Sequence, residues 1–289
     1  MLVQERESQI VVGLDPDPVN LWPGVASTAG AFVSSAFSDP TAPAVRAAAA
    51  VADHCAAVIA AVAEEVVAVK LQVACFERLG APGWKALEQV AESVRDAGLL
   101  VIADAKRGDI DVSARAYAQG MLGRTPTPFG AVPGLQADAL TVNPYMGADT
   151  LEVFAEAAAD TGAYLFVLVR TSNPGAADLE DLDAGGVPVW EHTAQLVARL
   201  GAGAVVGATR PEHVGRMREL MPDAIFLLPG VGAQGGRVED LAPAFAPGAG
   251  YGLVTASRSI VGAGGGSDDH ADAARAASAE LRSTAWAIR

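Results

Sequence analysis

The stretch Leu99-Leu100-Val101-Ile102-Ala103-Asp104-Ala105-Lys106-Arg107-Gly108-Asp109-Ile110 opens as an apolar run and closes in alternating charge. A short apolar run of this kind reads as a strand buried on both faces, as parallel sheets require. Residues two apart on a strand point to one side. Asp104 and Lys106 are therefore expected to project together, with Ala103 and Ala105 facing covering helices on the other side. Asp109 follows just beyond the strand end, within reach of the same cluster.

Similar runs recur on either side. Strands are expected at about 9–15, 66–72, 99–106, 139–144, 164–171, 204–209, 224–230 and 252–258. Segments of helical periodicity lie between them, at 43–65, 84–97, 149–161, 188–200 and 211–221, with a last one near 268–287. Eight strands alternating with helices, and no linker, predict one α/β domain over 1–289, a single (β/α)8 TIM barrel. A doubly wound open sheet is the structural alternative. Two connections are long: an insertion at about 17–42 and a lid-like loop at about 171–187. Both follow strands and so belong to the carboxyl-end mouth, where barrel active sites are built.

The bulk properties narrow the function. A net charge of −14 disfavours nucleic acid and anionic membrane as partners, because both are densely negative. Met1 to Gln9 is polar and mixed in charge, unlike a signal peptide. The alanine-rich stretch Ala47 to Ala63 reads as too short and too interrupted to span a bilayer. Cys55 and Cys75 have neither disulfide-framework nor metal-site spacing. A cytoplasmic location is expected. Of 20 basic residues, only Lys70, Lys85 and Lys106 are lysines. A lysine kept amid so many arginines marks a place for a compact ammonium that can give up a proton.

Lys70 ends the second strand, at the level of Asp104 on the next one, so the pattern predicts a Lys70-Asp104-Lys106-Asp109 array in a partly desolvated pocket. Buried charges are costly unless paired, so such a cluster is either a working site or a surface ion-pair network. Gly230, Gly232 and Gly235 spell G-x-G-x-x-G, but after the seventh strand rather than in a first βαβ unit. In barrels the loops after strands seven and eight commonly hold phosphate. Gln234, the backbone around Ser257, and Arg258 supply donors there. His54, His192, His213 and His270 lack paired spacing and read as surface or capping residues. The acidic run Asp178 to Asp183 reads as a solvated lid face rather than a metal site.

On these residues the chain resembles the orotidine 5'-phosphate decarboxylase family. The run ADAKRGDI matches that family's D-x-K-x-x-D-I signature, and the resemblance covers nearly the whole chain. Asp15 ends the first strand, Ser172-Asn173-Pro174-Gly175 follows the fifth, Pro229 to Gly236 follows the seventh, and Ser257-Arg258-Ser259-Ile260 ends the eighth. The 17–42 insertion resembles the family's longer bacterial branch. The resemblance implies decarboxylation of orotidine 5'-phosphate in pyrimidine biosynthesis, with no cofactor and no metal. It implies that Asp104 lies against the substrate carboxylate, that Lys106 stabilises and protonates the ring carbanion, and that Lys70 and Asp109 hold the array. It further implies that Asp109 comes from the partner in a homodimer. Asp15, Ile110, Ser113, Ser172, Pro229, Gln234, Gly235, Ser257 and Arg258 would border the substrate.

Two rival enzymes share the barrel. Magnesium-dependent sugar-phosphate relatives resemble the same motif but place an acidic metal ligand where Lys70 stands, and an ammonium there repels a divalent cation. A Schiff-base aldolase needs an uncharged lysine, and neighbouring carboxylates favour the ammonium instead. A non-catalytic nucleotide-binding barrel is the third reading.

Overall fold

Strands and helices alternate along the chain, and strand hydrogen bonding closes on itself in the computed structural model, which describes residues 2–265 and 269–289. The barrel strands are β1 (Ile10–Leu14), β2 (Ala68–Gln72), β3 (Leu100–Arg107), β4 (Ala139–Val142), β5 (Tyr164–Arg170), β6 (Gly203–Val206), β7 (Phe226–Pro229) and β8 (Gly252–Ala256). All pairings are parallel, and β1 bonds both β2 and β8, which excludes the open sheet. All eight expected strands are present. Of the last expected helix, residue 268 lies outside the described residues and the remainder forms His270–Ala287.

The strand period of two sorts each side chain into one of two cores. Val11, Ala68, Ile102, Ala139, Phe166, Val205 and Leu227 fill the barrel interior. Their chain neighbours Val12, Val69, Val101, Ala103, Leu140 and Val167 point outward into the layer packed by the helices. The short helix Leu2–Arg6 adds Leu2 and Val3 to the interior cluster, and Arg6 bonds the carbonyls of Val66 and Gly98. The polar N-terminal stretch thus has a structural job.

The 17–42 insertion is less open than its composition indicates. Ser27 caps the helix Thr28–Ser35, accepting from the Ala29 amide. Asp53 Oδ1 then accepts from the Ser27 amide at 2.8 Å, the Ser27 hydroxyl at 2.7 Å and the Gly30 amide at 2.9 Å. A Cβ at position 30 would collide with that carboxylate, so the helix can dock only with glycine there. Periodicity also left unmarked the helix Asp111–Met121 and a small antiparallel hairpin, Arg124–Thr125 with Val132–Pro133.

Two expectations need correction. The helix Pro43–Val62 runs 20 residues and is, by length and composition, apolar enough to cross a bilayer. In the fold its Val51, Cys55, Val58 and Val62 are buried in the outer core. His54 is not a surface or capping residue. It is 3% exposed, its Nδ1 accepts the Trp22 amide at 3.0 Å, and its ring meets the Trp22 indole edge-on. Burial, and then the nearby His270, push its pKa down to about 4.

The unfolded chain protonates His54 near pH 6.5, whereas the folded chain resists until about pH 4. Between those values the unfolded state binds the extra proton, so stability falls as pH falls. Urea unfolding is expected to show a loss on the order of 2 kcal/mol from this group between pH 7 and pH 4.5. The His54→Gln variant should lose that part of the slope; equal slopes in both proteins would refute the assignment.

Candidate active site

Following the interior one step further toward the carboxyl ends of the strands replaces the apolar plug with polar groups. Above Ala68, Ile102, Ala139, Phe166 and Leu227 stand Lys70, Asp104, Thr141, Leu168 and Pro229, and all five line a cavity of about 460 Å³. Gly13 occupies this layer on β1. A Cβ there would lie 1.9 Å from the Ser257 hydroxyl, so the missing side chain is what lets Ser257 enter, while Lys70 Cε passes at an ordinary contact distance of 3.6 Å.

Asp104 is the hub. It is 5% exposed, and four donors converge on its carboxylate. Lys70 Nζ at 2.6 Å and Gln72 Nε2 at 3.3 Å reach Oδ2. Lys106 Nζ at 2.6 Å and the Thr141 hydroxyl at 2.9 Å reach Oδ1. Two oxygens offer about four lone-pair sites, and all are used. Burial on its own would raise the Asp104 pKa, but Lys70 and Lys106 hold the carboxyl well below the usual range. Burial would lower the Lys70 pKa; Asp104 and Asp15, whose Oδ1 lies 3.7 Å from Nζ, raise it instead. Both partners therefore stay charged at neutral pH.

The geometry departs from regular alternation in two places. Strand register pairs Lys70 with Ile102, not with Asp104, so Lys70 starts one inward step lower than expected and its long side chain spans the gap. The register between β3 and β4 also slips between Ala103 and Arg107, and Lys106 has φ +47°, in the left-handed region. That bulge, rather than an even pleat, aims Lys106 at Asp104. Thr141 fixes it, since its hydroxyl oxygen accepts the Lys106 amide at 3.0 Å while donating to Asp104.

Of the other expected residues, Asp15, Ser172, Pro229, Gln234, Ser257 and Arg258 line the same cavity. Gly235 does not line it but shapes the loop, with Gly230, Gly232 and Gly235 at φ +101°, +73° and +89°. Asp109, Ile110 and Ser113 do not line it either. Asp109 accepts the Ile110 amide at 2.8 Å and makes no described ion pair with Lys70 or Lys106, so one chain brings together three members of the expected four-charge array. Just beyond it along the chain, Ile110 is 58% and Val112 75% exposed. Sequence reasoning missed Gln72, Thr141, Thr171, Asn173, Glu180 and Thr255, all in the cavity wall. The i+2 step from Lys70 and from Ala139 would have found Gln72 and Thr141. Among the described residues no three His, Cys, Asp or Glu side chains converge as metal ligands.

A charged array at the carboxyl mouth of a closed parallel barrel is the arrangement of a (β/α)8-barrel enzyme. The family model of the orotidine 5'-phosphate decarboxylase / HUMPS family matches residues 8–276, and the chain belongs to that family. It is 47% identical over 204 residues to an orotidine 5'-phosphate decarboxylase of Deinococcus radiodurans, covering 66% of this chain and 70% of that one. Over nearly full length it is 38% identical to one from Azoarcus sp., covering 99% and 96%. Among solved structures, an OMP decarboxylase of Leishmania donovani superposes with a TM-score of 0.72 at 31% identity, covering 99% of this chain and 97% of that one.

Replacing Thr141 with valine keeps the shape but strips Asp104 of one donor and the Lys106 amide of its acceptor. The expected cost is about 1–3 kcal/mol, read by urea unfolding, with Thr141→Ser costing much less. Equal stability of Thr141→Val and wild type would remove Thr141 from the array.

Proposed function

We infer that this enzyme decarboxylates orotidine 5'-phosphate to uridine 5'-phosphate and carbon dioxide, a step of pyrimidine biosynthesis. The observation that carries the mechanism is a buried Asp104 paired at 2.6 Å with each of two ammonium groups, which favour its ionised form. The substrate carboxylate lies against Asp104, and the repulsion between the two anions is relieved as carbon dioxide departs. The bond from ring to carboxylate breaks, its electron pair stays on the ring carbon, and the Lys106 ammonium stabilises that carbanion and then donates a proton to it. Lys106 suits this role because its side chain is 44% exposed at the cavity while Lys70 is enclosed. Asp15 and Lys70 bind the ribose, Ser172 meets the pyrimidine ring, and Gln234, Ser257 and Arg258 take the phosphate.

The reaction needs neither metal nor organic cofactor: Lys70 stands where a divalent cation would need a carboxylate. The working form is a homodimer in the cytoplasm. Asp109, which precedes the exposed Ile110 and Val112, is delivered across the interface to the partner's array, with Ile110 and Ser113 bordering the shared pocket.

Purified protein is expected to consume the orotate chromophore of orotidine 5'-phosphate in the presence of excess chelator. Lys106→Ala should lower kcat/KM by on the order of a thousandfold or more. Turnover only with added magnesium, or none from protein that binds nucleotide, would overturn the assignment. Mixing the inactive Lys106→Ala and Asp109→Ala proteins should restore activity, because a hybrid dimer carries one complete site; no recovery after verified subunit exchange would place Asp109 elsewhere.

A further inference from the structure

The loop after β5 is composed like a mobile lid, yet its root is bolted down. Arg170, 3% exposed at the end of β5, makes a two-pronged ion pair with Asp181, Nε to Oδ1 and Nη2 to Oδ2 each at 2.9 Å. One residue on, the Thr171 amide donates to Glu180 Oε2 at 2.9 Å, and the Thr171 hydroxyl lies between Glu180 Oε1 at 2.9 Å and Asn173 Oδ1 at 2.7 Å. Residues 170 and 171 are thereby tied to 181 and 180, and Ser172 begins the loop so closed.

Ser172 is also wedged from the side. A Cβ on Gly207 would come within 2.8 Å of its Cα, and one on Gly230 within 3.1 Å of its Cβ, while the Thr209 hydroxyl donates to its carbonyl at 3.1 Å. Glu180 is no solvated lid residue: its side chain is 21% exposed and it lines the cavity beside Ser172. An acidic group placed in a pocket for an anionic substrate works against binding unless it does something else there. Here one of its oxygens accepts the Thr171 amide and the other faces the Thr171 hydroxyl.

We propose that Glu180 and Asp181 are positioning residues, forming with Arg170 and Thr171 a latch that presets Ser172 against the pyrimidine ring before substrate arrives. The proposal rests on the reading that this cavity takes a pyrimidine nucleotide and that Ser172 meets the base. Presetting removes an ordering cost that binding would otherwise carry, so the latch acts on recognition of the base and leaves the phosphate end alone.

The test compares dissociation constants for uridine 5'-phosphate and for ribose 5-phosphate, which keeps the phosphate and sugar but lacks the base. Thr171→Val should weaken the nucleotide about tenfold and leave ribose 5-phosphate unchanged, Glu180→Ala should weaken the nucleotide relative to ribose 5-phosphate by a similar factor, and Thr171→Ser, which keeps the hydroxyl, restores wild-type binding. In turnover the loss should appear in KM rather than kcat. Unchanged nucleotide affinity in both variants, or equal weakening of both ligands, overturns the latch while the proposed activity stands. A wild type that binds the nucleotide no better than ribose 5-phosphate overturns the pyrimidine reading and the latch with it.

Discussion

The ion pair between Lys70 and Asp104 is the constraint around which the mouth of the barrel is arranged. Two opposite charges, 6% and 5% exposed, sit directly above an apolar plug. Removing one partner from a pair of this kind leaves an uncompensated buried charge and costs about 3–5 kcal/mol. The surrounding residues therefore serve the pair. Gln72 and Thr141 fill the remaining lone pairs of Asp104, and Lys106 balances its second oxygen. An apolar replacement would hold the barrel together as well or better; what it would lose is a fixed anion with cations on either side.

That arrangement is a preorganised field. Its dipoles and charges are oriented by the fold before any ligand enters, which is the condition under which electrostatics contributes most to a reaction. The same rule extends outward. The β7 loop is shaped by glycines in backbone regions other residues avoid, and the β5 loop is held by two carboxylates that also line or flank the cavity.

Much of this was legible in the chain because periodicity and charge coincide there. The apolar runs marked every barrel strand, and Lys70, Asp104 and Lys106 stood out as charges at strand ends. What stayed hidden has physical reasons. Thr141 sits in ALTV, where a β-branched residue is the default strand former and advertises nothing. Glu180 and Asp181 lie in an acidic run that reads as solvated until Arg170 is seen beneath it. His54 is one polar residue in an alanine-rich helix, and only the folded insertion shows that it accepts the Trp22 amide. Lys70 and Lys106 reach Asp104 by a staggered register and a bulge, neither of which a simple alternation contains.

The left-handed backbone at Lys106 carries an evolutionary meaning. A non-glycine residue at φ +47° holds a conformation that costs on the order of 1–2 kcal/mol. Selection for stability alone would drift this position toward glycine or asparagine, which adopt it more easily. A lysine there keeps a strained backbone that glycine or asparagine would relieve, so the ammonium beside Asp104 is held in place at a cost to the barrel's stability.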